Sequence, residues 1–227
     1  MTMRLLRKRK LEHFDVPVQD MLLRVTGPED FYEEVRAAGM LFWEQIQSYG
    51  IRNPAFRTTK RPLEVPETAP AIIREMAQSA AAAGVGPMFT FQGALTEYVG
   101  RKLRDALNEI TVSCGEDHFV VSRRRMRLAV HPGLGLAVVV KPELGPHGIF
   151  MKLTPGEQPG EVLGALVVVG ETCIVADAAA AAATAIVSKP NGFHTALTYL
   201  KGLPRLHGAL LIQGHRIGVT GALEIAA

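Results

Sequence analysis

Val169–Val187 reads VGETCIVADAAAAAATAIV, and this stretch decides the fold because it predicts a helix that packs closely against its surroundings. One carboxylate, Asp177, stands directly before six consecutive alanines, Ala178–Ala183. Alanine has the highest helix propensity and a small side chain, so this helix forms readily and lets another backbone or a flat ligand approach closely. An acid near the start of such a helix is either a first-turn charge that suits the helix dipole or a ligand-binding group.

The order of elements around the alanine helix predicts an α+β fold. Apolar residues at helical spacing predict further helices over about 26–50, 70–83, 88–107 and 192–201. Strand-like alternation covers 21–25, 109–140, 162–169 and the C-terminal stretch, while a proline-rich segment over 52–69 predicts an extended crossing. Because strands follow one another rather than alternating with helices, the pattern favours α+β over a doubly wound α/β sheet. Its two helix-then-hairpin halves suggest an internal duplication.

The composition indicates a globular chain with a large core. Of its 227 residues, 48% are hydrophobic, which allows one large domain and makes an apolar interface between two copies, a homodimer, the expected assembly. We expect a basic N-terminal arm over 1–20, with an irregular lead-in before the first strand, and a single α+β domain over 21–227. No apolar run approaches the roughly 20 residues of a membrane span, and no secretory signal is recognisable, so the cytoplasm is the default location.

Two basic clusters, Arg4–Lys10 and Arg123–Arg127, raise the question of nucleic-acid binding. Such binding would need both clusters on one face, ideally with aromatic side chains for stacking. Aromatic residues make up 6% of the chain and none is interleaved with either cluster. A solvated arm and a charged hairpin tip are therefore favoured over a nucleic-acid site.

Gly84-Val85-Gly86-Pro87, ahead of a predicted helix, is a candidate anion site. Glycines let the backbone approach a ligand, and the first amides of the helix are free to donate to it. Gln92, Thr96 and Glu97 could line such a site, although exposed polar residues of the helix are the commoner explanation. A plain turn between two helices explains the same residues equally well.

Glu116, Asp117 and His118 form a dense polar patch beside Cys114 and Gly115 at a predicted strand turn. Adjacent residues rarely converge on one metal ion, so solvated hairpin acids are favoured over ligands here. If the fold brings Glu116 or Asp117 near Asp177, a hard cation such as Mg²⁺ becomes a candidate ligand. Cys114 and Cys173 lie in these same two segments, where buried inert thiols are favoured over a redox pair.

Several segments together resemble a prokaryotic family related to the ApbE flavin transferases (FAD:protein FMN transferases). The matching pieces are IRNPAF at 51–56, IIREMA at 72–77, GVGPM at 84–88 with GALTEYVGR at 93–101, ADA at 176–178 and GALLIQGHRIG at 208–218. The resemblance implies a T-fold-like α+β architecture of two related halves, each with helices and antiparallel sheet. In flavin transferases it further implies an isoalloxazine pocket, with Mg²⁺ held partly by an Asp and a Thr on the ADA-type helix.

The resemblance carries over residue by residue only in part. Asp177 matches the aspartate of the ADA motif, but the threonine expected one helical turn later falls on Ala181. Thr184 lies seven residues after Asp177, about 10 Å along a helix, which is too far for both to bind one metal ion directly. The family's Asn-Gly-Gly-Asp turn corresponds here to Ser113–Asp117 and has lost the asparagine amide.

These observations predict an ApbE-like protein that binds a flavin, a nucleotide or another small anionic ligand in a degenerate flavin and metal site. The alternative is a non-enzymatic scaffold or protein-binding member of the fold, with Phe89 or Phe91 filling the cleft. The cofactors in question are a flavin and Mg²⁺, Asp177 is the predicted metal ligand, and catalytic residues and enzymatic activity are left open. The predicted cofactor-binding residues are Gly84, Gly86, Gln92, Cys114, Gly115, Glu116, Asp117 and Thr172.

Overall fold

The computed structural model describes residues 10–104, 106–131, 135–141, 145, 147–153 and 164–226, and it confirms the α+β fold. The helices are α1 (Tyr32–Arg52), α2 (Pro54–Thr58), α3 (Ala71–Ala82), α4 (Phe91–Arg104), α5 (Cys173–Val187) and α6 (Gly192–Gly202). The strands are β1 (Glu12–Val18), β2 (Met21–Gly27), β3 (Ile110–Cys114), β4 (Asp117–Val121), β5 (Met126–His131), β6 (Leu136–Val140), β7 (His147–Leu153), β8 (Ala165–Gly170), β9 (Leu206–Gln213), β10 (Arg216–Gly221) and β11 (Glu224–Ala226).

The strands form two antiparallel sheets. The larger sheet has eight strands in the order β1-β2-β3-β4-β7-β8-β9-β10, and the smaller has three in the order β11-β6-β5. All the strand pairs are antiparallel, and most join strands that follow one another in the chain. The exception within the large sheet is β4, which pairs with β7 because β5 and β6 belong to the small sheet. Helices α1 and α4 pack against β1–β4, and α5 and α6 pack against β7–β10. These two helix-plus-sheet halves share one continuous sheet.

Hydrophobic clusters lie on both faces of the large sheet. On one face, α1 and α4 cover β1–β4 through buried residues such as Leu95 and Val112, while α5 and α6 cover β8 and β9. On the other face, the small sheet packs over β7–β9 through Val138 and Ile149. The turn between β3 and β4 lies at the end of this sheet nearest to the start of α5, and this position matters for the site.

Helix α5 lies between the sheet and three other helices, α3, α4 and α6. Ala176, Ala179 and Ala183 contact the cluster beneath α6, while Ala178 and Ala182 pack against the end of α3. A helix contacted on so many sides must have small side chains, since a bulkier residue would push one of the neighbours away. The close approach predicted from the alanine run is therefore present.

Three segments differ from the sequence-based expectations. Residues 12–18, expected as an irregular lead-in within the basic arm, form β1 and pair along their whole length with β2; the basic residues before Lys10 lie outside the described part of the chain. The proline-rich crossing contains α2, which begins at Pro54, where the missing amide proton costs nothing in a first helical turn. No strand was predicted over 147–153, yet β7 joins the two halves of the large sheet there.

Candidate functional site

The first turn of α5 is fixed by contacts with α4. Thr172 caps the helix, because its hydroxyl accepts a hydrogen bond of 3.2 Å from the amide of Val175. The amide of Gly93 donates to Oδ2 of Asp177 at 3.0 Å. A Cβ atom on Gly93 would lie 2.7 Å from the carbonyl oxygen of Cys173 and 2.8 Å from Cβ of Asp177, so only glycine allows this contact. Thr172 therefore has a helix-capping role, and Asp177 is held by a backbone amide from another element.

A buried glutamate, Glu97, also anchors the start of α5. It is 3% exposed, and its Oε2 accepts from the amide of Cys173 at 2.8 Å, one of the amides that a helix leaves without an internal partner. Its other oxygen accepts from Nε of Arg101 at 2.7 Å, and Arg101 also contacts Glu75, which accepts from the hydroxyl of Tyr98 at 2.7 Å. Glu97 is therefore not the exposed helix residue that was favoured from the sequence. The four-residue spacing of Glu97 and Arg101 on one helix was a signal for the ion pair.

The turn between β3 and β4 lies next to the first turn of α4. Cys114 pairs with Asp117 across the hairpin, and Gly115 in the turn has φ of 58°, a left-handed conformation that favours glycine. A Cβ atom on Gly115 would lie 2.6 Å from Oε1 of Gln92, so the turn backbone contacts this side chain directly. The carbonyl of Glu116 accepts from the amide of Met151 at 2.8 Å, which ties the turn to β7.

Asp117 is fully buried, so the expectation of solvated hairpin acids is wrong for this residue. It points to the same face of β4 as Phe119, which packs against α4. Within the described residues, neither of its carboxylate oxygens has a hydrogen-bond partner. A buried carboxylate without partners is costly, and burial, followed by the charges of Asp177 and Glu116, raises its pKa well above the ordinary value.

Asp177 shares this environment. Burial raises its pKa from the ordinary 3.8 to about 7; the amide of Gly93 opposes this rise and the charge of Glu116 adds to it. The charge of Asp177 acts on Asp117, and both carboxylates, called here the acidic pair, lie in the buried region where β4, α4 and α5 contact one another. Among the described residues, no third His, Cys, Asp or Glu side chain joins them to form a preformed metal-binding group.

Both cysteines are buried and unoxidised, as expected for inert thiols. Cys114 and Cys173 belong to the same hydrophobic cluster beside the acidic pair. Burial and then the charge of Asp117 raise the pKa of Cys114 to about 12, and burial raises the pKa of Cys173 well above its ordinary value. Both side chains are therefore thiols rather than nucleophilic thiolates at neutral pH.

A cavity of about 360 Å³ opens beside the β3–β4 turn. Three of the predicted ligand-binding residues, Gln92, Cys114 and Gly115, line it. The other lining residues are Asp20, Met21, Leu22, Arg24, Ser113 and His118. Of these, the sequence had pointed to His118 as part of the polar patch and to Ser113 as the first residue of the turn. They come from the β1–β2 turn and from the register of β2, β3 and β4, so only the pairing of distant strands brings them together.

Gly84 and Gly86 have a different role from the predicted anion cradle. Gly84, with φ of 65°, ends α3 in a Schellman motif, in which its amide donates to Ala81 and the amide of Val85 donates to Ala80. Gly86 lies against another backbone segment, because a Cβ atom there would be 2.0 Å from the carbonyl oxygen of Thr59. The structure favours the plain turn between helices. Neither Gly84 nor Gly86 is among the described residues that line the 360 Å³ cavity.

Thr184, Phe89 and Phe91 lie outside the cavity. The hydroxyl of Thr184 donates to the carbonyl of Ala180 at 2.8 Å within α5 and so does not replace the threonine expected at Ala181. Phe89 is 45% exposed, and Phe91 packs into a cluster with residues of α1 and α3. Neither phenylalanine is among the described residues that line the cavity, so the predicted plug does not occur there.

The class of protein follows from comparison of this fold with solved structures. A mutant of the flavin transferase ApbE from Vibrio cholerae superposes with a TM-score of 0.56 and 11% identity over 94% of this chain and 98% of the other. The flavinyl transferase ApbE of Pseudomonas stutzeri, in its apo form, gives a TM-score of 0.54 and 15% identity over 94% and 96%. At such low identity the likeness establishes the fold, which is the ApbE fold.

The family follows from the sequence itself. The family model described as "AbpE bacteria" matches residues 3–198, and the chain belongs to this family. Among curated proteins it is similar to UPF0280 proteins: that of Methanosarcina barkeri is 27% identical over 188 residues, 78% of this chain and 73% of the relative. That of Methanocella arvoryzae is 28% identical over 187 residues, 79% and 76% of the two chains. In the described residues, no helix combines the length and apolar character needed to cross a membrane.

Proposed function

We propose that this protein binds a small anionic ligand of the flavin or nucleotide class, together with a divalent cation held by Asp117 and Asp177. One observation carries the proposal: Asp117 is 0% exposed, and within the described residues its two carboxylate oxygens lack any hydrogen-bond partner. Buried polar groups are normally satisfied, and an exception calls for a bound group or a functional explanation. A positive charge between the two carboxylates would provide the missing partner.

The chemistry of the pair fits a hard cation such as Mg²⁺. Both residues offer carboxylate oxygens, and Mg²⁺ is commonly held by one or two carboxylates, with phosphate oxygens of the ligand and waters completing its shell. The absence of a third acidic, cysteine or histidine ligand among the described residues is compatible with this mode. Bound there, the cation would neutralise part of the charge of a phosphate-containing ligand.

The protein's own residues would orient the ligand around this pair. The glycine backbone of the β3–β4 turn and the side chain of Gln92 border the neighbouring cavity, and the absent Cβ of Gly115 lets the Gln92 amide lie directly against the turn. The names of the solved structures, flavin and flavinyl transferases, support a flavin as the first ligand to test. The alanine at position 181 removes a hydroxyl that the family resemblance implies, so binding rather than flavin transfer is proposed.

Calorimetric titration of FAD into the purified protein, with and without MgCl₂, tests this proposal. We expect FAD to bind in the presence of Mg²⁺ and Asp117→Asn to weaken that binding by at least about tenfold, because contacts with a charged group are typically worth 1.5–3 kcal/mol. Asp177→Asn should have the same effect. Glu34→Gln, which alters an exposed acid of α1, is the matched control and should bind as the wild type does.

Two results would contradict the proposal. One is a wild-type protein that binds neither Mg²⁺ nor FAD at millimolar concentrations, which would favour the scaffold alternative. The other is FAD binding that Asp117→Asn and Asp177→Asn leave unchanged, with both variants shown to be folded by circular dichroism. As a gain-of-function test, Ala181→Thr restores a hydroxyl one helical turn after Asp177, and we expect it to tighten Mg²⁺ binding.

A further inference from the structure

A row of polar side chains crosses strands β2, β3 and β4 on the face opposite the acidic pair. Arg24 is paired with Ser113, and Ser113 with His118, in the register of the large sheet. The adjacent row, which contains Cys114 and Asp117, points to the helices, so the alternation of side chains directs the polar row to the other face. All three side chains line the 360 Å³ cavity.

Ser113 and His118 together present a hydrogen-bond donor to this cavity. Nδ1 of His118 lies 2.8 Å from Oγ of Ser113. Burial lowers the pKa of His118, which favours the neutral ring at physiological pH. If Nδ1 accepts from the serine hydroxyl, the Nε2 proton is left to donate; if Nδ1 donates, the hydroxyl proton is left. Either tautomer therefore leaves one donor for a ligand.

Arg24 supplies a positive charge beside this donor. Asp15 is its cross-strand neighbour on β1, yet within the described part of the chain the guanidinium forms no ion pair with it or with another carboxylate. Asp20 also lines the cavity, but its Oδ1 accepts from Nε1 of Trp43 at 3.1 Å. A guanidinium without a carboxylate partner matches the geometry of phosphate and carboxylate groups, which it binds through two parallel hydrogen bonds.

We propose that Arg24, Ser113 and His118 form an oxyanion-binding subsite that accepts the phosphate or carboxylate group of a ligand. The subsite does not depend on the proposed cation site, since Asp117 and Asp177 lie on the helix side of the sheet. Without a bound cation, the acidic residues near Cys114 make that end of the cavity unfavourable for an anion. The anion is therefore expected at the Arg24 end, away from the β3–β4 turn.

The test is an NMR titration of the histidine ring protons with inorganic phosphate and, separately, with acetate, in EDTA and without flavin. His118→Asn assigns the His118 signal. We expect phosphate to shift this signal saturably, and Arg24→Gln to weaken binding by about tenfold or more, because it removes a charge-assisted contact. Arg36→Gln, at an exposed position of α1, is the matched control and should bind as the wild type does.

The outcomes separate the two ligand sources and the two sites. Binding of phosphate alone identifies a phosphate subsite, and binding of both anions identifies a general oxyanion subsite that also takes carboxylates. Retention of phosphate binding in Asp177→Asn would show that the subsite works without the cation site, whatever the fate of the proposed function. The inference is overturned if neither anion shifts the His118 signal, or if Arg24→Gln and Arg36→Gln affect binding equally.

Discussion

Asp177→Asn is expected to change the way stability depends on pH in the absence of a cation. The folded protein holds the Asp177 proton more tightly than the unfolded chain does, because its pKa is raised from 3.8 to about 7. Its contribution to the free energy of unfolding is thus fully present below about pH 4 and is lost as the pH rises through 7. The asparagine amide has nearly the same shape, carries no charge and can still accept the hydrogen bond from Gly93.

The magnitude follows from the two pKa values. A tenfold change in proton affinity equals about 1.4 kcal/mol, so the wild type should lose on the order of 1–2 kcal/mol from this group by pH 5 and about 4 kcal/mol by pH 8. The stability of Asp177→Asn relative to the wild type should therefore increase by about 3 kcal/mol between pH 5 and pH 8. For a chain of this size, that corresponds to a relative gain of roughly 6–12 °C in Tm.

Urea unfolding followed by circular dichroism in EDTA, at pH 5, 6, 7 and 8, measures this difference. Any constant cost of the amide substitution cancels when the pH values are compared with one another. Asp15→Asn, at an exposed site, should differ from the wild type by a constant amount across the range. A flat difference for Asp177→Asn as well would refute the argument that burial of this carboxylate limits stability at neutral pH.

Two further predictions concern packing and thiol chemistry. Gly100→Ala should lower the free energy of unfolding by about 1–3 kcal/mol, because the new Cβ would lie 2.1 Å from the ring of Phe119. Gly202→Ala, at the end of α6, has open space around the new Cβ and should be neutral or stabilising by up to about 1 kcal/mol. Equal effects of the two substitutions in chemical denaturation would contradict this account. Cys114 and Cys173 should resist a thiol reagent such as DTNB at pH 8 in the native protein and react at once in denaturant, whereas fast native labelling of either would show that the buried thiol is accessible.

Much of the fold was predictable because its elements have strong local signals. The alanine run, the glycine that ends α3 and the alternating strands over 109–140 each depend on residues close together in the chain. β1 and β7 were missed for a physical reason. The sequence of β1 contains two acids and a proline, and it is a strand because its backbone pairs with β2, which local composition does not reveal.

The candidate site was predictable only in part. The resemblance identified Asp177 and the β3–β4 turn, and the structure brings both together with Gln92. It did not identify Glu97 as the anchor of α5, nor the row of Arg24, Ser113 and His118. Each of these depends on sheet register or helix packing between residues far apart in the chain.

The sequence by itself determined that a small-residue helix with one acid near its start would pack closely within an antiparallel α+β fold of the ApbE type; in the structure this acid, Asp177, lies beyond the first turn of α5. Helix propensity and side-chain size are local properties, so they can be read without a structure. Only the tertiary structure decided that the partner of Asp177 is the amide of Gly93, and that Asp117 is buried without a hydrogen-bond partner among the described residues. Burial and electrostatic coupling arise when distant segments pack together and exclude water, which no local pattern specifies.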